Sequence, residues 1–251
     1  EACLVGSEMC IRDSLTIIGV PLFVSVGMTT LLALFLIDIP YTLMAQTGYS
    51  SLTPFPLLTS PLFVLAGRLM EVGGMATRMI AIATNLVGAY RGSMGLVTVF
   101  ACMLFAALSG SGPATTAAIG SVTVPAMKKD GYDVPFAAAI TASAGALGSL
   151  IPPSNLMIIY GLISETSIPR LFLAGILPGL MVTILLMIVT YIIARRRSYG
   201  GDGDPFSWIP FRKAIWNGKW SLGAPLLILG GIYGGAFTPT EAAGVAVFYS
   251  L

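Results

Sequence analysis

Long stretches without a charged residue, separated by short charged segments, run along most of the chain. These uncharged stretches cover residues 14–37, 39–67, 92–127, 134–164, 171–194 and 220–240. Since a helix needs about 20 apolar residues to cross a membrane, the pattern predicts a chain that crosses one several times. We expect ordinary membrane-spanning helices at residues 15–37, 54–70, 171–194 and 220–237.

Two segments between these spans are more polar. Residues 75–90 (MATRMIAIATNLVGAY) mix apolar side chains with threonine, arginine and asparagine, and predict an amphipathic helix lying in the membrane interface. Residues 195–219 are rich in arginine, glycine and tryptophan, and predict an extramembrane loop with an aromatic membrane anchor. The sequence TPTE at 238–241 has the pattern of a capping box at a helix start.

Two uncharged stretches are interrupted in the middle by residues that break helices. Residues 109–113 (SGSGP) divide 92–127 into two halves of about 17 residues, each shorter than a full span. This predicts a re-entrant hairpin over 92–127. Residues 151–155 (IPPSN) divide 134–164, and two consecutive prolines remove two helix hydrogen-bond donors. This predicts a discontinuous span over 134–164.

The positions of the cations favour the hairpin. If the chain returns to its starting side, Arg78, Arg91 and Lys128 share one membrane face with the arginines at 195–197. Only Arg170, among the cations after residue 14, then lies on the other face. Positive residues concentrate on the cytoplasmic side of membrane proteins, so we expect this face to be cytoplasmic. Two short full crossings would give the same arrangement.

The composition narrows the class of protein. Apolar residues make up 56% of the chain and charged residues 10%, with a formal net charge of +2. A soluble domain carries about 25% charged residues, and a nucleic-acid-binding protein carries a basic surface. The chain contains no histidine and three cysteines, which excludes Ser-His catalysis and zinc or other transition-metal ligation by histidine. We therefore expect an all-α polytopic membrane protein in the lipid bilayer, not an enzyme.

Residues 1–14 (EACLVGSEMCIRDS) differ from the rest of the chain because they are charged and hold two of the three cysteines. We expect them to be a non-native or disordered leader, and the alternative is a polar cytoplasmic tail. The organisation predicted after them is a group of spans and an interfacial helix at 15–91, the two broken stretches at 92–164, and further spans with a cytoplasmic loop at 165–251.

The two breaks suggest a binding site. Non-helical backbone at membrane depth is tolerated only where it lines a cavity or is buried in protein, and free carbonyls at half-helix ends suit a cation. Neither broken stretch holds a charged residue, and neutral oxygen ligands favour Na+ over a proton relay. The candidate ion- and substrate-binding residues are Ser109, Gly110, Ser111, Gly112, Thr115, Thr116, Pro152, Ser154 and Asn155. The alternative is that these hydroxyls only bond to their own helices.

Several blocks of sequence resemble a known family. They are FPLLTSPLFVLAGRLMEVGG (55–74), SGSGPATTAAIGSVTVPAMKKDGY (109–132), FAAAITASAGALGSLIPPSNLMIIYG (136–161), SIPRLFLAGILPGLM (167–181) and GGIYGGAFTPTEAAGVAVFYSL (230–251). In this order they resemble the large membrane subunit of TRAP (tripartite ATP-independent periplasmic) transporters, over about residues 15–251.

The resemblance implies a fold with two inverted repeats and an elevator-type motion. This chain would hold one repeat and the start of the second, and is expected to be a gene fragment. The resemblance also implies sodium-coupled uptake of organic acids, with Na+ as coupling ion and no other cofactor. The implied partners are a small membrane subunit and a periplasmic substrate-binding protein, in the bacterial inner membrane. The alternatives are a divalent-anion sodium symporter without a binding protein and a non-transporting scaffold or channel subunit.

Overall fold

The computed structural model describes residues 2–37, 40–53, 55–88, 92–200 and 207–251. All regular structure within these ranges is helical, in agreement with the predicted all-α fold. The chain divides into two compact units, Glu1–Pro54 and Phe55–Leu251.

The first unit contains α1 (Ala2–Ile17), α2 (Leu22–Leu36) and α3 (Thr42–Leu52). The prediction of a single helix at 15–37 is wrong, because α1 ends and α2 begins within this range. The chain turns between α1 and α2 at Gly19, whose φ is +95°, and Pro21 then precedes α2. Helix α1 covers the segment predicted to be a leader, and that assignment stays a prediction.

The second unit begins with a short 3-10 helix, Phe55–Leu58. It continues with α4 (Thr59–Val72), α5 (Met75–Val87), α6 (Ser93–Ser109), α7 (Gly112–Lys129), α8 (Val134–Gly145), α9 (Leu147–Leu150), α10 (Asn155–Ile163), α11 (Ile168–Arg196), α12 (Trp208–Asn217), α13 (Lys219–Tyr233) and α14 (Pro239–Ser250).

Helix α6 forms the centre of this unit and packs against α4, α5, α7, α8 and α11. Its side chains Phe105 and Leu108 are fully buried in one apolar core with Phe63 of α4 and Met79 of α5. Because lipid tails are as apolar as these side chains, van der Waals packing, and not removal from water, stabilises this contact in a membrane. The hairpin and the broken helix are therefore held on a well-packed central helix.

The amphipathic helix predicted at 75–90 is confirmed as α5. Met79 and Ala83 on one face are buried, whereas Thr77 and Arg78 on the other face are exposed. Its placement in a membrane interface stays a prediction.

Helix α14 packs along α4. The buried hydroxyls of Thr59 and Thr240 form a hydrogen bond of 2.8 Å between the two helices. The predicted capping box is also confirmed, because the Thr238 N–H donates to Glu241 Oε2 at 2.8 Å and the Glu241 N–H donates to Thr238 Oγ1 at 3.4 Å.

The start of α6, the end of α7 and the end of α11 lie at one end of the second unit. After α11, the Gly200 N–H donates to the Asp130 carbonyl, just after α7, at 3.2 Å. In the first turn of α6, the Gly95 N–H donates to the Tyr132 hydroxyl at 3.3 Å. The α6–α7 pair therefore returns to the end from which it starts. Arg91 lies outside the described residues.

In the described part of the chain, α11 is the one helix long and apolar enough to cross a membrane by itself. A second crossing results if α8–α9 and α10, bent by 43°, count as one broken span. The predicted span 171–194 lies within α11. The spans predicted at 54–70 and 220–237 correspond to the shorter helices α4 and α13, of 14 and 15 residues.

The segment 195–219 is not a loop throughout, which corrects the sequence-based expectation. Helix α12 lies within it beside α5, with Lys213 and Asn217 lining a groove opposite Thr77 and Arg78. The sequence pattern did not predict α12 because Pro210 lies within this short helix and two basic residues follow it.

Candidate functional site

The hairpin between α6 and α7 turns within two residues. Helix α6 ends at Ser109, Gly110 adopts a left-handed conformation with φ of +58°, and Ser111 is extended. Helix α7 then starts at Gly112, and Pro113 fits its first turn because proline needs no N–H partner there. The sequence SGSGP therefore supplies a helix stop, a tight turn and a helix start in succession.

The second break separates α9 from α10. The backbone is extended at Ile151 and again at Ser154, and the peptide bond between Pro152 and Pro153 is cis. Helix α10 starts at Asn155. The interruption predicted at 151–155 is present in the structure.

The two breaks contact each other. The N–H of Asn155 donates to the carbonyl of Gly110 at 3.1 Å. The backbones approach so closely that a Cβ on Gly110 would lie 2.5 Å from the carbonyl oxygen of Pro153. A direct backbone hydrogen bond therefore joins the two breaks.

Helix α9 also reaches the hairpin. A Cβ on Gly148 would lie 2.5 Å from both the Ser111 carbonyl oxygen and Thr115 Oγ1. The missing side chain of Gly148 therefore permits the close approach of α9 to the tip.

The hydroxyls at the tip have partners within the chain. Ser109 Oγ and Thr115 Oγ1 form a hydrogen bond of 2.6 Å, and Thr115 Oγ1 also donates to the Ser111 carbonyl at 2.9 Å. Thr116 Oγ1 donates to the Gly112 carbonyl at 3.0 Å, and Ser154 Oγ donates to the Ser149 carbonyl at 2.7 Å. These bonds are those expected if the hydroxyls only stabilise the breaks.

Asn155 is different. Its side-chain oxygen Oδ1 is buried and has no hydrogen-bond partner. Leaving a buried polar group unpaired costs about 1–3 kcal/mol. A cation, or a group that donates a hydrogen bond to this oxygen, would recover that energy. The atom lies on the first residue of α10, directly beside the Gly110 contact.

Two predicted site residues face away from this junction. Pro152, together with Ile151, lines a separate apolar cavity of about 360 Å³ between α6, α11 and α13. The carbonyl next to Gly110 is that of Pro153, not of Pro152. Thr116 faces α8, where a Cβ on Gly145 would clash with its Oγ1. The other predicted residues lie at or beside the tip.

The sequence argument missed two charged residues at the tip. Arg68 and Glu71 of α4 form an ion pair of 2.7 Å and line a cavity of about 50 Å³ together with Ser109 and Ser111. In the pattern of charges, Arg68 serves only to end the uncharged stretch 39–67. The spacing of opposite charges at i and i+3 within an apolar helix was the available signal.

The comparison with known proteins gives the family. Residues 13–251 match the sequence profile of the tripartite ATP-independent periplasmic transporter, DctM component. The chain belongs to the DctM family. The resemblance carried by the tip and break sequences is thereby confirmed.

The chain is similar to several curated TRAP permeases. It is 44% identical over 236 residues to the isethionate TRAP transporter permease protein DctMQ of Oleidesulfovibrio alaskensis, covering 94% of the chain and 37% of that relative. It is 44% identical over 237 residues to the C4-dicarboxylate large permease protein DctM of Vibrio cholerae, covering 93% of the chain and 52% of that relative. The sialic acid permease SiaT of Haemophilus influenzae is 41% identical over 204 residues, with coverages of 80% and 32%.

The chain therefore spans about half, or less, of the length of these relatives, and corresponds to the N-terminal portion of the large permease. These relatives are transporter permease subunits, which are not enzymes.

Proposed function

We propose that the protein is part of the large permease subunit of a TRAP transporter that takes up organic acids by coupling to Na+. The names of its relatives support the substrate class, since isethionate, C4-dicarboxylates and sialic acid are all organic acids. The observation that supports the sodium proposal is the junction of two broken elements, at which the amide oxygen of Asn155 is buried without a hydrogen-bond partner.

The proposed Na+ site lies at this junction. The buried and unpaired Asn155 Oδ1 supplies one neutral oxygen, and the hydroxyls of Ser109 and Ser111 supply others. Hard cations prefer such oxygen ligands. Thr115 and Ser154 then hold the breaks in shape through their hydrogen bonds to backbone carbonyls.

We also propose the membrane arrangement and the partner subunits that the family suggests. The α6–α7 pair enters the bacterial inner membrane as a re-entrant hairpin, and 92–164 forms half of a transport domain that moves in an elevator-like manner against its inverted repeat. A small membrane subunit and a periplasmic substrate-binding protein complete the transporter. The DctMQ name of the Oleidesulfovibrio relative supports the small subunit. The comparisons do not favour a symporter without a binding protein or a non-transporting scaffold.

Sodium-dependent uptake tests the proposal. In a full-length permease carrying this segment, assembled with its partners in vesicles, we expect Ser111→Ala and Asn155→Ala to raise the Na+ concentration for half-maximal uptake about tenfold. A tenfold change corresponds to about 1.4 kcal/mol, the range of one lost hydrogen-bonding ligand.

Ser121→Ala is the matched control, because Ser121 lies on the same helix and bonds only to the carbonyl of Ala118, at 2.9 Å. Its sodium dependence is expected to stay unchanged. If Ser111→Ala and Asn155→Ala are folded and keep the normal sodium dependence, the junction is not the coupling site.

A further inference from the structure

A charged pair lies at the level of the hairpin tip. On α4, Gly67 packs directly against the tip, where an added Cβ would lie 3.3 Å from Ser109 Cα. Arg68 is the next residue, and it pairs with Glu71 at 2.7 Å. The ion pair on α4 therefore lies at about the same height in the second unit as the tip of the hairpin.

The depth of the tip makes this pair unusual. Helix α6 has 17 residues, so Ser109 lies about 25 Å along the helix from Ser93 at a rise of 1.5 Å per residue. If the hairpin enters a bilayer core of about 30 Å from the end at Ser93, the tip and Arg68 beside it lie within the core, towards its far face. Charged side chains inside a membrane are costly, and they mark the paths of substrates or ions.

The pair opens onto the candidate site. Arg68 and Glu71 line the cavity of about 50 Å³ whose other polar walls are Ser109 and Ser111. The Arg68 side chain is 69% exposed, whereas that of Glu71 is 26% exposed. A single Arg68 nitrogen, Nη1, donates to Glu71 Oε2. Because a guanidinium has five N–H donors in a planar fork, most of its donors remain available to a second carboxylate.

We propose that Arg68 binds a carboxylate of the transported organic acid in this cavity, beside the hydroxyl of Ser111. Glu71 holds the guanidinium towards the tip when no substrate is bound, and it competes with the substrate for the same donors. A forked guanidinium recognises a planar carboxylate by two parallel hydrogen bonds, which a lysine at this position would not reproduce. The inference rests on the proposed function, since it assigns the substrate side of the same junction.

The kinetics of uptake test this assignment in a full-length permease with its partners. We expect Arg68→Gln to raise the KM for a C4-dicarboxylate or another transported acid at least tenfold, and Arg68→Lys to raise it by less. Glu71→Gln is expected to lower the KM several-fold, because it removes the competing carboxylate. Arg78→Gln is the matched control: this exposed arginine lines the separate groove between α5 and α12, so its KM is expected to stay unchanged.

A chemical rescue separates recognition of charge from a structural role. In a background without the native cysteines, Arg68→Cys is treated with a thiol reagent that adds an aminoethyl group, or with one that adds a neutral methyl group. Because the aminoethyl adduct ends in an ammonium, as lysine does, we expect it to lower the KM to the level of Arg68→Lys, whereas the neutral adduct leaves the KM as high as in Arg68→Gln. Equal recovery with both adducts, or a KM that rises as much in Glu71→Gln as in Arg68→Gln, would overturn the proposal.

The failure of this inference is distinguishable from failure of the sodium proposal. If uptake depends on Na+ through Ser111 but folded Arg68→Gln keeps its KM, Arg68 is not a substrate ligand and the sodium site stands. If Arg68→Gln raises the KM while Ser111→Ala and Asn155→Ala leave the sodium dependence unchanged, the sodium site is elsewhere and the carboxylate site stands.

Discussion

Single glycines decide whether the two breaks can touch. Gly110 has a φ of +58°, which side chains other than glycine rarely adopt, and it lies against the Pro153 carbonyl. Gly148 meets the other side of the tip, at the Ser111 carbonyl. The hydroxyls and the Asn155 amide keep their positions only while these backbones stay in contact, so the proposed binding at the junction depends on residues that have no ligand atoms in their side chains.

We expect Gly110→Ala to separate the breaks and abolish uptake. The left-handed conformation alone costs an alanine about 1–2 kcal/mol, and the contact with Pro153 forces a further backbone shift. Gly244→Ala is the control, because Gly244 lies inside α14 with open space around it; replacing glycine by alanine in a helix stabilises it by about 1 kcal/mol. Thermal unfolding and uptake are measured for both variants. Normal uptake by Gly110→Ala would show that the junction does not need this contact.

At the scale of elements, the sequence predicted the breaks because glycine and proline act locally. Residues 109–113 and 151–155 interrupt helices through their own backbone chemistry, and the capping box at 238–241 is equally local. The position of Arg68 and Glu71 beside the tip depends instead on how α4 packs across α6, which a linear pattern of charges does not contain. Helix α12 was not predicted for a similar reason. Its position depends on its packing against α5, which the hydrophobicity of its sequence does not reveal.

The α6–α7 pair is expected to behave as a re-entrant element. Cysteines placed one at a time along 104–118, in a background without the native cysteines, report the side from which each position is reached by membrane-impermeant thiol reagents. We expect labelling near the tip from one side only, because both ends of the pair lie at the same end of the unit. Labelling of the α6 positions at 104–109 and of the α7 positions at 112–118 from opposite sides would contradict a hairpin.

At the scale of the whole second unit, cations gather where three helix ends meet. Lys128 and Lys129 form the last turn of α7, and Arg195 and Arg196 form the last turn of α11. The two ends are connected by the ion pair of Arg197 with Asp133, at 3.1 Å. An exposed pair of this kind adds little stability, so the shared position follows mainly from helix packing and the backbone contacts around it.

This basic end is expected to face the cytoplasm. Positive residues stay on the cytoplasmic side during membrane insertion, and the contacts after α7 and after α11 require both to lie on the same side. Reporter fusions after residues 130 and 200 are therefore expected to report the cytoplasm. A fusion after residue 165, beyond the broken helix α8–α10 and before α11, is expected to report the periplasm. If a fusion after residue 92 reports the cytoplasm while the fusions after 130 and 200 both report the periplasm, α6 and α7 together cross the membrane once, and the re-entrant hairpin would then have to be abandoned.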